Sequence, residues 1–241
     1  MRESALVLFS GGQDSTTCAA WALQRFNRVD TVGFAYGQEN ANELLQRDTI
    51  FNALRRDFRE WPGKLGSDRI VRLDLFGQLV KSSLLGDEGL PPRTDGLPVS
   101  FVPGRNVVFL TVAAIMAKEG GHDALVAGMC ETDYEGYPDC RDDTIKSLQA
   151  SLNLGLQART SIETPLMYLD KGDTWKLAEQ IGGKRLVNLI VNQSCTCYGG
   201  ELTSMQPWGM GCGKCAACER RAKGWAKYTF KAEPTLEGEA S

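Results

Sequence analysis

The 241-residue sequence predicts an α/β fold: a doubly wound, mostly parallel sheet carrying a small C-terminal segment of different character. Three observations predict it. Short apolar runs rich in branched residues alternate with segments of helical period, which implies parallel strands joined by right-handed crossovers. A glycine turn, Ser10-Gly11-Gly12-Gln13-Asp14-Ser15, follows the first apolar run directly and opens the first helical pattern. After the alternation ends, cysteines crowd the region from Cys195 to Cys218. This organisation divides the chain into an α/β domain (1–190), a cysteine-bearing segment packed on it (191–230) and a polar, frayed tail (231–241).

The first strand is Ala5-Leu6-Val7-Leu8-Phe9, and Cys18, Ala19, Trp21, Ala22, Leu23 and Phe26 recur after it at helical spacing. A strand, a glycine turn and a helix N-terminus in that order make an anion site. The turn lets backbone N–H groups approach a phosphate, and the helix end adds partial positive charge. Ser10 and Ser15 supply hydroxyls, and Asp14 is placed to hold a metal or to cap the helix. No Gly-Lys-Ser/Thr follows, which separates this turn from the kinase-type phosphate loop.

The second strand is expected over 29–36, ended by Gly37, and a helix over 39–58 with Leu44, Leu45, Thr49, Ala53 and Leu54 facing inward. A third strand is expected over 70–73. Between Phe76 and Gly104 periodicity gives way to repeated Gly and Pro, the pattern of a substrate-covering loop. Residues 105–118 have hardly a polar face and predict a helix buried all round, stopped by Gly120-Gly121. A fourth strand over 123–127 ends at Gly128, so the polar cluster from Cys130 to Arg141 emerges at the same sheet edge as the glycine turn. Helices follow over 144–156 and 174–181, with an extended stretch over 161–165.

Forty-two per cent hydrophobic and 24% charged residues are ordinary for a globular protein, and a net charge of −3 gives no electrostatic reason to expect nucleic acid or membrane partners. No apolar run approaches the roughly 20 residues of a bilayer span. The N-terminus lacks a signal-peptide pattern, so a cytoplasmic protein is expected. In that compartment eight cysteines favour metal binding or free thiols over disulfides.

Cys197, Cys212, Cys215 and Cys218 form C-x14-C-x2-C-x2-C. Four thiolates complete the closed tetrahedral sphere of structural zinc. An iron–sulfur cluster competes, but its run continues to a fourth cysteine and a proline, where this chain has Arg220-Arg221. Cys195, two residues before Cys197, is an alternative fourth ligand. Cys18 reads as a small buried residue, and Cys130 and Cys140 lie near the proposed site without a basic partner. The single histidine, His122, precedes the fourth strand and reads as a surface residue at the opposite edge. A mechanism needing a histidine base is disfavoured, whereas acyl adenylation suits a carboxylate nucleophile that is already anionic.

The glycine turn resembles the pyrophosphate loop of the ATP pyrophosphatase superfamily. Further matches follow in order: Tyr36-Gly37-Gln38, Phe101-Val102-Pro103-Gly104-Arg105-Asn106, Glu131-Thr132-Asp133 and Gly136-Tyr137-Pro138-Asp139-Cys140-Arg141. Glu163-Thr164-Pro165-Leu166, Asp170-Lys171 and the cysteine set complete the series. Together, from about residue 5 to 228, they resemble the 7-cyano-7-deazaguanine synthase family, zinc enzymes of queuosine-precursor synthesis with an adenine nucleotide alpha-hydrolase-like fold. Two features depart from the family pattern. The Cys197–Cys212 interval is longer, with Glu201 to Trp208 inserted, and Glu39-Asn40 stands where members carry a basic pair.

The resemblance implies an ATP-dependent C–N ligase joining 7-carboxy-7-deazaguanine and ammonia, with Mg²⁺ accompanying ATP, one structural zinc and a homodimer. It implies ATP binding by Phe9, Ser10, Gly11, Gly12, Gln13, Asp14, Ser15, Thr16, Tyr36 and Arg105. The catalytic set would be Ser10, Asp14, Ser15 and Lys171. Substrate contacts would come from Gln38, Arg105, Asn106, Glu131, Asp133, Tyr137, Asp139 and Arg141. Phe34 and Tyr36 suit an adenine-side wall or the core, and Lys171 suits phosphate neutralisation or plain solvent exposure. Three other readings stay open: a relative that stops at the amide or passes the acyl group to another amine, a tRNA-thiolating enzyme, and a non-catalytic nucleotide sensor.

Overall fold

The computed structural model describes residues 3–37, 42–87, 89–131 and 137–230. Five parallel strands form the sheet: β1 (Ser4–Leu8), β2 (Arg28–Ala35), β3 (Leu65–Arg72), β4 (Ala124–Val126) and β5 (Ser161–Glu163). Their spatial order is β3-β2-β1-β4-β5. The chain therefore winds outward one way through β2 and β3, then returns to the far side of β1 for β4 and β5. The reversal lies between β1 and β4, and in such sheets the crevice at their carboxyl ends takes ligands.

Alternation of side chains along each strand supplies two cores. Ala5, Val7 and Phe9 face one layer with Val29, Ala124 and Val126. That layer is closed by α1 (Gln13–Arg25), α2 (Asn42–Asp57) and α6 (Lys171–Gln193), through residues such as Cys18, Leu23, Ile50, Leu54 and Trp175. Leu6, Val32, Phe34 and Leu125 face the other layer, closed by α4 (Arg105–Gly120) and α5 (Asp142–Leu156) through Leu110, Ala113, Ala114, Ala117 and Ile145. The one-turn helix α3 (Phe76–Leu79) and a 3₁₀ turn, Ser83–Leu85, occur in the Gly/Pro-rich stretch. A two-stranded hairpin, β6 (Met205–Gln206) and β7 (Gly209–Met210), and α7 (Ala216–Thr229) build the cysteine-rich end. The tail, 231–241, lies outside the described residues.

Several expectations need correction. Thr49 is exposed; the inward face of α2 instead runs Arg47, Ile50, Leu54, with Arg47 fully buried. The expected start of that helix lies outside the described residues, as do the side chains of Leu44 and Leu45. β3 begins five residues earlier than periodicity indicated, because it pairs with β2 along nearly its whole length as an edge strand, where half-exposed polar residues are tolerated. α4 is not buried all round: Ile115 is 46% exposed. The helix expected over 174–181 runs from Lys171 to Gln193, with a kink at Gly183, whose φ of +65 favours glycine, where two helical stretches join. His122 does sit at the amino edge, but its side chain is largely buried and its Nε2 pairs with Asp30 Oδ2 at 2.8 Å. That contact draws Asp30, which also accepts the Ser67 amide and hydroxyl hydrogens, over the end of the sheet. No described helix is long and apolar enough to cross a membrane.

Candidate active site and metal centre

A cavity of about 450 Å³ opens at the carboxyl edge of the sheet, over the reversal between β1 and β4. Its floor is the turn that leaves β1. Gly11 has φ +89, a left-handed conformation that favours glycine, and a Cβ there would lie 2.9 Å from the Cα of Arg47. The turn is tied internally. Gly11 N–H donates to Ser15 Oγ at 3.1 Å, Gly12 N–H to Ser10 Oγ at 3.3 Å, and the two hydroxyls lie 3.1 Å apart. Gly12 is the N-cap of α1 and no side chain caps that helix, so Asp14 does not cap it. The N-terminus of α1 consequently meets the cavity with its positive end open to an anion.

Asp14 engages Lys171. The Lys171 Nζ donates to Asp14 Oδ2 at 2.5 Å, and its side chain is only 15% exposed, which corrects the solvent-exposed alternative. The other carboxylate oxygen, Oδ1, is buried without a protein partner. Asp14 can come this close to the sheet because residue 128, at the end of β4, is glycine; a Cβ there would stand 3.2 Å from Asp14 Cβ. Lys171 begins α6, capped by Asp170, whose Oδ1 accepts the Asp173 N–H at 3.0 Å.

The cavity brings together Phe9, Ser10, Gly12, Asp14, Ser15, Tyr36, Arg105, Asn106, Glu131, Tyr137, Arg141 and Lys171. Gly11, Gln13 and Thr16 do not line it; Gln13 and Thr16 are buried in the first turn of α1. Asp139 is also set back: its Oδ2 accepts the Asn106 N–H at 2.9 Å and so anchors the start of α4, while its Oδ1 is buried without a partner. Gln38 and Asp133 lie outside the described residues. One wall is aromatic. Phe34 stacks on Phe109 at 4.4 Å, Tyr36 meets Phe109 edge-on at 5.3 Å, and the Arg105 guanidinium lies 5.7 Å over the Tyr36 ring. Opposite, Tyr137 stacks on Phe101 and its hydroxyl pairs with Ser100 Oγ at 2.7 Å. Cys130 and Cys140 line the cavity, but burial pushes the Cys140 thiol up to about 12, which makes it an inert thiol near neutrality. Cys18 is fully buried, as expected of a small apolar residue.

Arg47 belongs to the support of this site and is absent from the sequence expectations. Its side chain is 0% exposed; Nε donates to Phe9 O at 2.7 Å, and Nη2 to Arg69 O at 3.0 Å and to Asp68. A guanidinium thus holds the last residue of the first strand run against β3, directly behind Gly11. The signal was its spacing: Arg47 shares a helical face with Ile50, Phe51 and Leu54.

The candidate metal centre lies beside the cavity. The ligand sulfurs of Cys197, Cys212, Cys215 and Cys218 all fall within 4.8 Å of one another. A tetrahedral zinc–thiolate site with bonds of about 2.3 Å separates its sulfurs by roughly 3.8 Å, and Cys212 Sγ and Cys218 Sγ are 3.9 Å apart. The donor set therefore fits a metal ion. The Lys214 and Cys215 amides donate to Cys212 Sγ at 3.4 Å each and lower its thiol to about 6. Cys195 stands outside the quartet, its thiol 3.6 Å from Glu201 O. Fully buried Arg221 joins this end to the α/β body, donating to Ile190 O, Ser194 O and Ser194 Oγ at 2.9–3.1 Å; burial brings its guanidinium down to about 10.

A family model described as "Queuosine biosynthesis protein QueC" matches residues 4–229. Proteins named 7-cyano-7-deazaguanine synthase are similar over nearly their whole length. The one from Janthinobacterium sp. (strain Marseille) is 53% identical over 94% of this chain and 96% of its own. That from Halorhodospira halophila is 53% identical over 94% and 92%, and that from Caulobacter vibrioides (strain NA1000 / CB15N) 51% over 98% and 97%. Among solved structures, a 4-thiouridine synthetase in complex with RNA and ATP superposes with a TM-score of 0.53 at 19% identity, covering 94% of this chain and 50% of that one. The last likeness is one of fold.

Proposed function

Because the chain belongs to the family of the queuosine biosynthesis protein QueC, we propose that it is a C–N ligase converting 7-carboxy-7-deazaguanine and ammonia to 7-cyano-7-deazaguanine with ATP. The single observation carrying this reading is near-full-length identity above one half to proteins of that name.

The substrate carboxylate attacks the α-phosphorus of ATP, and the bond to the β,γ-pyrophosphate breaks. Ammonia adds to the acyl carbon of the resulting adenylate and expels AMP, leaving an amide. The amide oxygen then attacks a second ATP with loss of pyrophosphate. Departure of AMP with that oxygen, and of the remaining nitrogen protons, leaves the nitrile. In this reading Ser10, Gly12 and Ser15 hold the leaving pyrophosphate, and Lys171 neutralises its growing charge. Tyr36 and Phe34 flank a planar base, and Arg105 forks toward a phosphate or carboxylate. Asn106, Glu131, Tyr137 and Arg141 contact the deazapurine, with Glu131 placed to accept from ring N–H and amino donors. The unpartnered Oδ1 of Asp14 fits Mg²⁺, which when bound with ATP shields phosphate charge. Zinc is the metal proposed for the cysteine quartet, and a homodimer acting on small molecules rather than nucleic acid completes the reading.

Mass spectrometry of the product from carboxy-deazaguanine, ATP and ammonia tests it. The nitrile and two AMP per turnover are expected; an amide without nitrile overturns it. Ser10→Ala is expected to keep the melting temperature and metal content while lowering kcat/KM for ATP by ~10- to 100-fold, since one loop donor and the acceptor of the Gly12 N–H are lost. Steady-state kinetics with wild-type kcat/KM would remove Ser10 from the phosphate site.

A further inference from the structure

The cysteine-bearing end does more than sit beside the reaction cavity; it forms one side of it. Thr196, Cys197, Tyr198, Ala217 and Arg220 line the same space as Ser10, Gly12, Ser15 and Lys171. Contact is close, since a Cβ on Gly12 would lie 3.2 Å from Thr196 Cγ2. Arg220 stands one helical turn into α7, two residues after the last cysteine of the quartet, and both it and Tyr198 are half-buried. The Arg220 Nη2 donates to the Tyr198 hydroxyl at 2.9 Å, so the guanidinium is oriented by a residue that itself follows a cysteine of the quartet, Cys197. Two ends of the metal clamp thus present one cation to the cavity.

Charge says what that cation meets. The described lining holds four cationic side chains, Arg105, Arg141, Lys171 and Arg220, and two carboxylates, Asp14 and Glu131. Lys171 is tied to Asp14 at 2.5 Å. Arg105 reaches the Tyr36 hydroxyl on the aromatic wall at 3.4 Å. Arg220 is the cation contributed from the side where Thr196 packs against the phosphate loop. We propose that Arg220, aligned by Tyr198, binds an oxyanion of the reactants, a phosphate of the nucleotide or the carboxylate of the acid, through its planar fork. The proposal rests on the functional reading above and makes the metal-binding end part of substrate recognition.

The test is calorimetric titration of the metal-loaded protein with α,β-methylene-ATP and, separately, with 7-carboxy-7-deazaguanine. Arg220→Gln is expected to weaken one of the two by about 10-fold or more, with zinc content and melting temperature unchanged. Loss on the nucleotide identifies the phosphate, and loss on the acid the carboxylate. Tyr198→Phe, which keeps the ring but removes the hydroxyl that accepts from Arg220, is expected to weaken the same ligand to a smaller extent. If Arg220→Gln fails to retain metal, Arg220→Lys decides. It keeps stem and charge without the fork, and is expected to bind that ligand several-fold more weakly with metal intact. Undiminished affinity for both ligands in the metal-loaded variant overturns the proposal. Neither titration requires turnover, so a wild-type protein that makes no nitrile would overturn the functional reading while the nucleotide titration still judges Arg220.

Discussion

Cys215→Ala is expected to lose its bound metal, unfold the region from Cys195 to Cys215 and abolish turnover, while the α/β body stays folded. The core at this end is small: Cys195, Cys197, Trp208 and Cys218 are its buried members, and two of these four, Cys197 and Cys218, belong to the quartet. The hairpin β6–β7 pairs only two residues on each strand. So little apolar burial cannot order some twenty residues against their conformational entropy, at about 1–2 kcal/mol per residue. A four-thiolate zinc site contributes on the order of 10–16 kcal/mol when it forms with the fold. The far end of α7 has independent anchorage, because Trp225 packs edge-on against buried Trp175 at 5.0 Å and Tyr228 stacks beside it. The body keeps both of its cores. Loss of activity follows because Thr196 and Tyr198 leave the cavity wall. Elemental analysis is expected to give less than about one-tenth of the wild-type zinc, and circular dichroism a nearly unchanged helical signal. Chelation of the wild type should reproduce both effects and added zinc reverse them. Full zinc content and activity in Cys215→Ala would refute the quartet.

What the sequence made legible divides along a physical line. Local signals survive into the structure: β1, its glycine turn and α1 are contiguous, and their hydrogen bonds close within six residues. The C-x2-C-x2-C spacing likewise reports local geometry, since one helical turn brings the Cys215 and Cys218 sulfurs into one cluster. The unbroken apolar runs of β1 and β4 announced strands buried on both faces. Arg47 was obscured because a charge on an apolar helix face reads as a break in the pattern, and its partners, Phe9 O and Asp68, are set by tertiary folding. His122 was misplaced on the surface for the same reason: its partner Asp30 is 92 residues away. Tyr198 and Arg220 carry no motif that ties them to a loop nearly two hundred residues earlier; only the packing of Thr196 on Gly12 does. Asp139 illustrates the converse. It belongs to an ordered motif and reads as a substrate contact, yet the structure turns its carboxylate onto the start of α4.

Lys171→Met is expected to lower kcat by about 10²–10³-fold, roughly 3–4 kcal/mol of transition-state stabilisation, with a much smaller change in KM for ATP. The reasoning starts from placement. Lys171 is the first residue of α6, its Cβ and backbone occupy the space a side chain on Gly224 would need, and the capped helix fixes its backbone. Its side-chain end donates to Asp14 Oδ2. In the proposed reaction negative charge would grow, as pyrophosphate leaves, on oxygens that the Ser10–Ser15 loop would hold, and the Lys171 ammonium lines the same cavity. Its role is therefore larger in the transition state than in the bound ground state, which is why kcat takes the loss. Folding is expected to survive, because the side chain borders the cavity and methionine retains its stem. Asp14→Asn separates positioning from charge. If Asp14 serves mainly to hold the ammonium, the two substitutions combined will cost far less than the sum of each alone. Rapid-quench measurement of AMP formation across the four proteins reads the chemical step directly. A kcat for Lys171→Met within about threefold of wild type would exclude Lys171 from the phosphoryl-transfer step, leaving the open N-terminus of α1 and its loop hydroxyls as the main source of charge stabilisation.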